Sequence, residues 1–344
     1  MSYLTIMEKE IREEPSVLTR ILESNIQIVE RIKRYLDKKK IEGIYISARG
    51  TSDNAGVLGK YLLESISGYI TAPSAPSLFT IYKSPPSLKD KLVIGISQSG
   101  RGEDVCEVVE WGKKEGALCI AITNNPDSLL ASLADEVILC WAGEEKSVPA
   151  TKTYLAEIFN LYLFSSVIAE RDDILQSLKD MPVYVERVIQ EAFKIDVTRF
   201  HFMDRCISIG RGFNYPTAME FSLKLKETSY IFAEAFSSAD FLHGPLALIS
   251  NQLPVFVFLP AGPTHTHLEE VIETLKEKTK DIFIFGFESL DGGENLFKIP
   301  YNVEEVLSPL LFTPVFQVFA NNLALEKGLD PDHPRFLKKV TITR

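Results

Sequence analysis

Residues 210–249 read G-R-G-F-N-Y-P-T-A-M-E-F-S-L-K-L-K-E-T-S-Y-I-F-A-E-A-F-S-S-A-D-F-L-H-G-P-L-A-L-I, and this stretch decides the fold. An apolar run, Cys206-Ile207-Ser208-Ile209, leads into Gly210-Arg211-Gly212, and good helix formers follow from about Thr217. That order is a strand, a tight glycine turn and a helix start, the repeating step of an α/β domain. Pro216 suits a first helical position, where its missing N–H costs nothing. Glu220, Lys224 and Glu227 follow at i, i+4 and i+7, on one face of a 3.6-residue helix. His243-Gly244-Pro245 comes sixteen residues after Glu227. The stripe has two readings. It can be a solvated face with modest ion pairs, or two carboxylates, an amine and an imidazole supplied by one strand–helix–loop unit.

The same unit occurs earlier in the chain. Ile46-Ser47-Ala48-Arg49-Gly50-Thr51-Ser52 repeats the strand and Arg-Gly turn of Ile207-Ser208-Ile209-Gly210-Arg211-Gly212-Phe213. Around it, strands at 43–47, 69–72, 91–96, 117–123 and 136–139 alternate with helices ending near 67 and 115, and an apolar helix covers 153–170. After a linking helix the pattern resumes with strands at 205–209, 254–259 and 281–285 and a final helix at 306–327. Alternation of this kind predicts a parallel, doubly wound sheet in each copy. It also predicts two copies of one α/β unit from duplication. The expected division is an N-terminal helical segment 1–39, a first domain 40–170, a linking helix 171–194, a second domain 195–329 and a C-terminal tail 330–344.

With 344 residues, 45% of them hydrophobic, the chain can build two cores. A net charge of −10 argues against a nucleic-acid surface. Residues 1–14 are charged, without the apolar core of a signal peptide, and no run reads as the ~18 apolar residues of a membrane span. Cys106, Cys119, Cys140 and Cys206 form no C-x-x-C pair and read as buried reduced thiols. The expectation is a cytoplasmic protein with no membrane or nucleic-acid partner. No metal cluster is visible, and His265 and His267 read as a surface loop pair.

Two turns carry candidate ligand chemistry. Ser97-Gln98-Ser99-Gly100 follows a buried strand and precedes a helix, where N–H groups and hydroxyls can converge on an anion. Gly50-Thr51-Ser52 offers the same at the neighbouring strand end, where ligands of such sheets bind. Ordinary N-capping by serine and threonine is the plain alternative. Neither turn is a Walker loop or a dinucleotide fingerprint.

Taken together, these residues resemble the sugar isomerase (SIS) family, above all the isomerase half of glucosamine-6-phosphate synthase and the SIS-type glucosamine-6-phosphate deaminases. The resemblance covers nearly the whole chain. It is strongest over Gly210–Gly212, Tyr215-Pro216, Glu220, Leu223-Lys224-Leu225-Lys226-Glu227 and His243-Gly244-Pro245. Ser97-Gln98-Ser99-Gly100, Ala150-Thr151-Lys152 and Pro334-Arg335, Leu337 and Lys339 in the tail support it. It implies two tandem flavodoxin-like SIS domains and a homodimer that shares its active sites.

The resemblance also implies roles. Gly50, Thr51, Ser52, Ser97, Gln98, Ser99 and Arg101, with Val148, Ala150 and Thr151, would hold a phosphorylated amino sugar. His243 would open its ring, and Glu227 would move the proton between C1 and C2, supported by Lys224 and Glu220. Lys339 would lie on a tail that closes the active site and can form a Schiff base. No metal or organic cofactor is implied.

The chain also departs from the synthase pattern. Position 2 is Ser2 where the synthase has its glutaminase cysteine, and Ser-Gln-Ser-Gly continues Arg101-Gly102-Glu103-Asp104 instead of Glu-Thr. Phe232 replaces a histidine, and Ala239-Asp240 a Gly-Glu pair. The expected activity is therefore glutamine-independent deamination of glucosamine 6-phosphate to fructose 6-phosphate and ammonia. An aldose–ketose isomerase, a sugar-amine phosphate deglycase and a non-catalytic sugar-phosphate sensor are the alternatives.

Overall fold

The strands β1 (Ile44–Ser47), β3 (Leu92–Ile96) and β4 (Leu118–Thr123) are short apolar runs, buried almost throughout. Such runs lack the alternation of a half-exposed strand, and parallel sheets covered on both faces require this. With β2 (Thr71–Pro73) and β5 (Glu136–Leu139) they form a parallel sheet of order β2-β1-β3-β4-β5. Helices α3 (Thr51–Ser65), α4 (Ser77–Thr80), α5 (Glu103–Lys114) and α6 (Leu129–Leu133) intervene between the strands. Those positions come from a computed structural model, which describes residues 4–287 and 295–339.

The second sheet repeats the design. Its strands are β6 (Arg205–Gly210), β7 (Phe232–Ser237), β8 (Val255–Leu259), β9 (Ile282–Phe287) and β10 (Leu296–Ile299), in the order β10-β9-β8-β6-β7. Counted from β6, this is again 2-1-3-4-5, the flavodoxin-like order, all parallel. The expected α/β class with two tandem flavodoxin-like domains is therefore present. Its helices are α9 (Tyr215–Ser229), α10 (Ser238–Leu242) and α11 (His265–Lys276). Phe221 on α9 anchors an aromatic core, with ring centroids 5.1 Å from Phe256, 5.6 Å from Phe319 and 5.8 Å from Phe285.

Two helices, α7 (Lys152–Ile168) and α12 (Ser308–Glu326), are apolar on nearly every side and almost wholly buried. The helical run Glu305–Glu326 is long and apolar enough to cross a membrane, where the sequence reading found no such run. Its apolar window is 89% buried inside the protein, so it serves as a core helix.

The described residues fall into two compact units. Those in Glu13–Glu145, Lys152–Pro182 and Lys338–Arg344 form one, with the first sheet. Those in Met1–Arg12, Lys146–Thr151 and Val183–Leu337 form the other, with the second sheet. Neither unit is continuous in sequence, unlike the division expected from sequence. The helical segment 1–39 is two helices, α1 (Ile6–Arg12) and α2 (Glu14–Leu36), in different units. The linking helix is α8 (Asp172–Ala192), and the boundary between units falls inside it. The loop 146–151 groups with the second sheet because Val148 N–H donates to Asp332 O at 3.0 Å and Gln317 Nε2 to Thr151 O at 3.2 Å. Asp332 in turn caps α1, accepting from the N–H groups of Ile6 and Met7 at 2.8 and 2.7 Å. Residues 340–344 of the tail and 1–3 of the N-terminal segment lie outside the described residues. His265 and His267, expected on a loop, stand on the first turn of α11.

Candidate functional site

In the first unit the chain reverses direction across the sheet between β1 and β3, and the crevice at this switch point lies at their carboxyl ends. The two turns picked out in the sequence sit there. Gly50 precedes α3 with φ +58°, and residues 97–102 precede α5. Gly100 has φ +62°, and a Cβ there would fall 2.1 Å from Ser128 Oγ, so only glycine closes this turn. Ser97 Oγ accepts from Gly100 N–H at 3.2 Å, and Ser99 Oγ from Arg101 N–H at 3.3 Å. Among the described residues neither hydroxyl donates its own proton, so both can point a donor at an anion. Gln98 is fixed through its carbonyl, which accepts from Asn124 N–H at 3.1 Å. Arg101 is exposed beside them.

Ser52 differs from the expected phosphate hydroxyl. It is buried and donates to Glu157 Oε1 at 2.8 Å, so its proton is committed within the protein. Arg49, not singled out in the sequence, contributes instead. Its Nε donates to Asp104 Oδ2 at 2.5 Å. Asp104, only 2% exposed, lies in the first turn of α5, so this ion pair ties the two turns together and leaves a half-exposed guanidinium at the crevice. The Arg-Gly repeat was visible, but a partner 55 residues away was not.

In the second unit α9 carries the other candidates. Lys224 Nζ lies 2.5 Å from Glu227 Oε2 and 3.3 Å from Glu220 Oε1. The stripe is not a solvated face. The Lys224 and Glu220 side chains are 0% and 1% exposed, whereas Glu227 is 21% exposed. Burial pushes the Lys224 ammonium's pKa down. The charges and hydrogen bonds of Glu227 and Glu220 more than offset this, so the pKa ends above its ordinary value and the amine stays protonated. Of the three groups, only Glu227 offers accessible surface to act on a substrate.

The structure does not bring His243 to this cluster within one chain. Glu227 is in the last turn of α9, at the amino edge of the sheet. His243 follows α10 beyond the carboxyl end of β7. The six residues of β7 between these edges span roughly 20 Å. The sequence spacing missed this separation because β7 was not read as a strand. His243 is exposed, and among the described residues only its backbone N–H is engaged, by Asp240 O at 3.0 Å.

Beyond the bonds of Asp332, the described tail reaches Tyr230 and Glu145. Arg335 lies 4.1 Å over the ring of Tyr230, the C-cap of α9, and its N–H donates to Tyr230 Oη at 2.9 Å. In the first unit Lys339 Nζ is 2.6 Å from Glu145 Oε2, and Glu145 also accepts from Thr153 Oγ1 at 2.6 Å. Val148 and Ala150 are half-buried and Thr151 is fully buried, in the loop that belongs to the second unit and not to the first domain as expected.

A cavity of about 640 Å³ opens elsewhere, lined by Arg31, Arg34, Tyr35, Lys113 and Glu136. It lies at the amino edge of the first sheet. Arg34 and Lys113 sit in the last turns of α2 and α5, where cations complement helix carbonyls, and Lys113 and Arg31 are paired with Asp135 and Glu136. Among the described residues no group of three or more His, Cys, Asp or Glu side chains is placed to hold a metal ion.

Comparison with known proteins gives the family and the fold. The isomerizing glutamine–fructose-6-phosphate aminotransferase of Gloeobacter violaceus is 36% identical over 98% of this chain, which spans 58% of that relative's length. The structure superposes on the C-terminal domain of glucosamine-fructose-6-phosphate aminotransferase from Francisella tularensis with a TM-score of 0.85. Identity there is 26%, with 96% of this chain and 99% of that one covered. Glucosamine-6-phosphate deaminase from Thermotoga maritima shares the fold, with a TM-score of 0.79 at 21% identity over 98% of this chain and all of that one. The SIS domain pattern matches residues 36–166, which include the first sheet, and 203–289, which include β6–β9 of the second. The chain belongs to the SIS domain family.

Proposed function

We propose that the protein deaminates an amino-sugar phosphate, converting glucosamine 6-phosphate and water to fructose 6-phosphate and ammonia. The observation that carries this reading is the α9 cluster, a half-buried carboxylate, Glu227, held by a buried ammonium, Lys224, whose second charge partner is the buried Glu220. Aldose–ketose interconversion needs a fixed base over C1 and C2. Glu227 takes the proton from C2 of the open-chain sugar and returns it to C1. The C2 imine that results is hydrolysed, water supplying the ketone oxygen and ammonia leaving.

Ser97, Gln98, Ser99 and Arg101 hold the phosphate, with N–H groups of the α5 N-terminus. Arg49 joins them, and Gly50 and Thr51 line the same crevice. Ring opening falls to His243 of a second copy, since β7 keeps each chain's own His243 from its Glu227. This favours a homodimer with shared active sites. Lys339 would have to leave Glu145 before its amine could reach a carbonyl.

The test is Glu227→Gln. Turnover should fall by roughly 10²–10⁴-fold while sugar-phosphate binding survives. A variant that turns over like the parent would remove Glu227 from the mechanism. A ketose product without ammonia would assign the same site to an aldose–ketose isomerase.

A further inference from the structure

The duplicated fold supplies two switch-point crevices, one in each unit. In the first, the turns 48–51 and 97–102 leave hydroxyls and an arginine for a ligand. The second is built from the turns after β6 and β8, and its conformation is similar: Gly212 in the Arg-Gly turn has φ +55°, against +58° for Gly50. What differs is the occupant. Glu305, at the start of the short 3₁₀ turn before α12, is only 6% exposed. Its Oε2 accepts from Thr264 N–H at 2.8 Å and its Oε1 from Thr264 Oγ1 at 2.8 Å. Thr264 is the N-cap of α11, a helix of 12 residues.

The carboxylate thus takes an N–H and a hydroxyl at a helix N-terminus, the kinds of group that an anion would take in the first crevice. Both turns close around it. A Cβ on Gly262 (φ +156°) would lie 2.6 Å from Glu305 Cβ, and one on Gly212 would lie 3.6 Å from Glu305 Oε1.

We infer that Glu305 is a built-in anion that closes the second crevice, so that each chain has one phosphate site, in its first unit. The two copies of the duplication have diverged by which carrier brings the negative charge, a ligand in one and the chain itself in the other. Removing the carboxylate opens a second phosphate site at Thr264 and the α11 N-terminus. The count of one rests on the reading of the first crevice as a phosphate site, whereas the closure of the second does not.

The experiment is calorimetric titration of the full chain with inorganic phosphate. The parent should take one phosphate per chain, and Glu305→Ala should take one more than the parent. If the parent takes none and Glu305→Ala takes one, the first crevice has been misread but Glu305 still acts as inferred. A parent that takes two, or a folded Glu305→Ala that takes no more than the parent, overturns the inference. Should Glu305→Ala not fold, Glu305→Gln decides. It keeps the volume and loses the charge, so its unfolding temperature should drop by about 2–4 °C with no second phosphate bound. Unchanged stability in Glu305→Gln would overturn the inference, because the charge would then not be what the crevice holds.

Discussion

Replacing Lys224 with methionine removes a cation shared by Glu220 and Glu227 while keeping the side chain's length. Lys224 is fully buried and Glu220 nearly so, with the ammonium 3.3 Å from Glu220 and 2.5 Å from Glu227. Glu227 can turn toward solvent, but Glu220 cannot. Breaking a buried pair by deleting one partner costs about 3–5 kcal/mol, because the remaining buried charge loses that compensation. For a unit of this size that corresponds to a fall in unfolding temperature of roughly 6–20 °C.

The pH dependence has a definite sign. The folded pKa of Lys224 lies above its ordinary 10.5, so its contribution is complete below 10.5 and is lost as pH rises through the folded value. The gap between parent and Lys224→Met should therefore be constant from pH 7 to 9 and shrink only in strong alkali. Adding Glu220→Gln should recover part of the loss, since the buried charge that Lys224 balanced goes with it. Urea unfolding of the parent, the single variant and the double variant measures all of this. A Lys224→Met within about 1 kcal/mol of the parent, or a double variant no more stable than the single one, would refute the description of the cluster as a compensated buried triad.

The phosphate turn and the thiols give further expectations. Gly100→Ala places a methyl where Ser128 Oγ stands and forces a side chain into positive φ. It should lower stability by about 1–3 kcal/mol and weaken phosphate binding, read by thermal unfolding with and without phosphate; unaltered phosphate binding would detach this turn from the ligand. Phe221→Ala should cost about 3–5 kcal/mol in urea unfolding by emptying the centre of the aromatic core, and a loss under 1 kcal/mol would mean that Phe221 does not anchor it. Burial, with Asp104 and Glu103 adding to it, pushes the Cys106 thiol from 9.0 up to about 11. At pH 8 its thiolate should be about a hundredfold scarcer than that of an ordinary cysteine, and iodoacetamide should label it only after denaturation. Labelling of the native protein at the unfolded rate would contradict its burial.

The parts of the fold carried by continuous runs were legible in the sequence. β3, β4 and β8 are uninterrupted apolar segments because both faces of a parallel sheet are covered. The strands not found, β7 and β10, are the edges of the second sheet. Their mixed residues, such as Phe232, Glu234 and Ser237, reflect partial exposure, so no apolar run marks them. Missing β7 had a consequence at the site. Sixteen residues between Glu227 and His243 looked like proximity, but they contain a strand that separates the two.

The Glu220-Lys224-Glu227 spacing placed three groups on one face but could not say whether that face was wet. The packing that buries it comes from other parts of the chain, α12 among them, as the bond from Thr228 Oγ1 to Ala320 O shows. Asp104, Glu157, Glu145 and Glu305 were invisible for the same reason. Each is a single carboxylate whose partner lies between 8 and 194 residues away in sequence, and no local pattern records such a pairing.

The most direct measurement is the release of ammonia and fructose 6-phosphate from purified protein given glucosamine 6-phosphate, with no glutamine present. Both products should appear in equal amounts, at a rate cut by roughly 10²–10⁴-fold in Glu227→Gln. Neither product, with sugar-phosphate binding still shown by a thermal shift, would contradict the proposed deamination and leave a binding protein on the same scaffold.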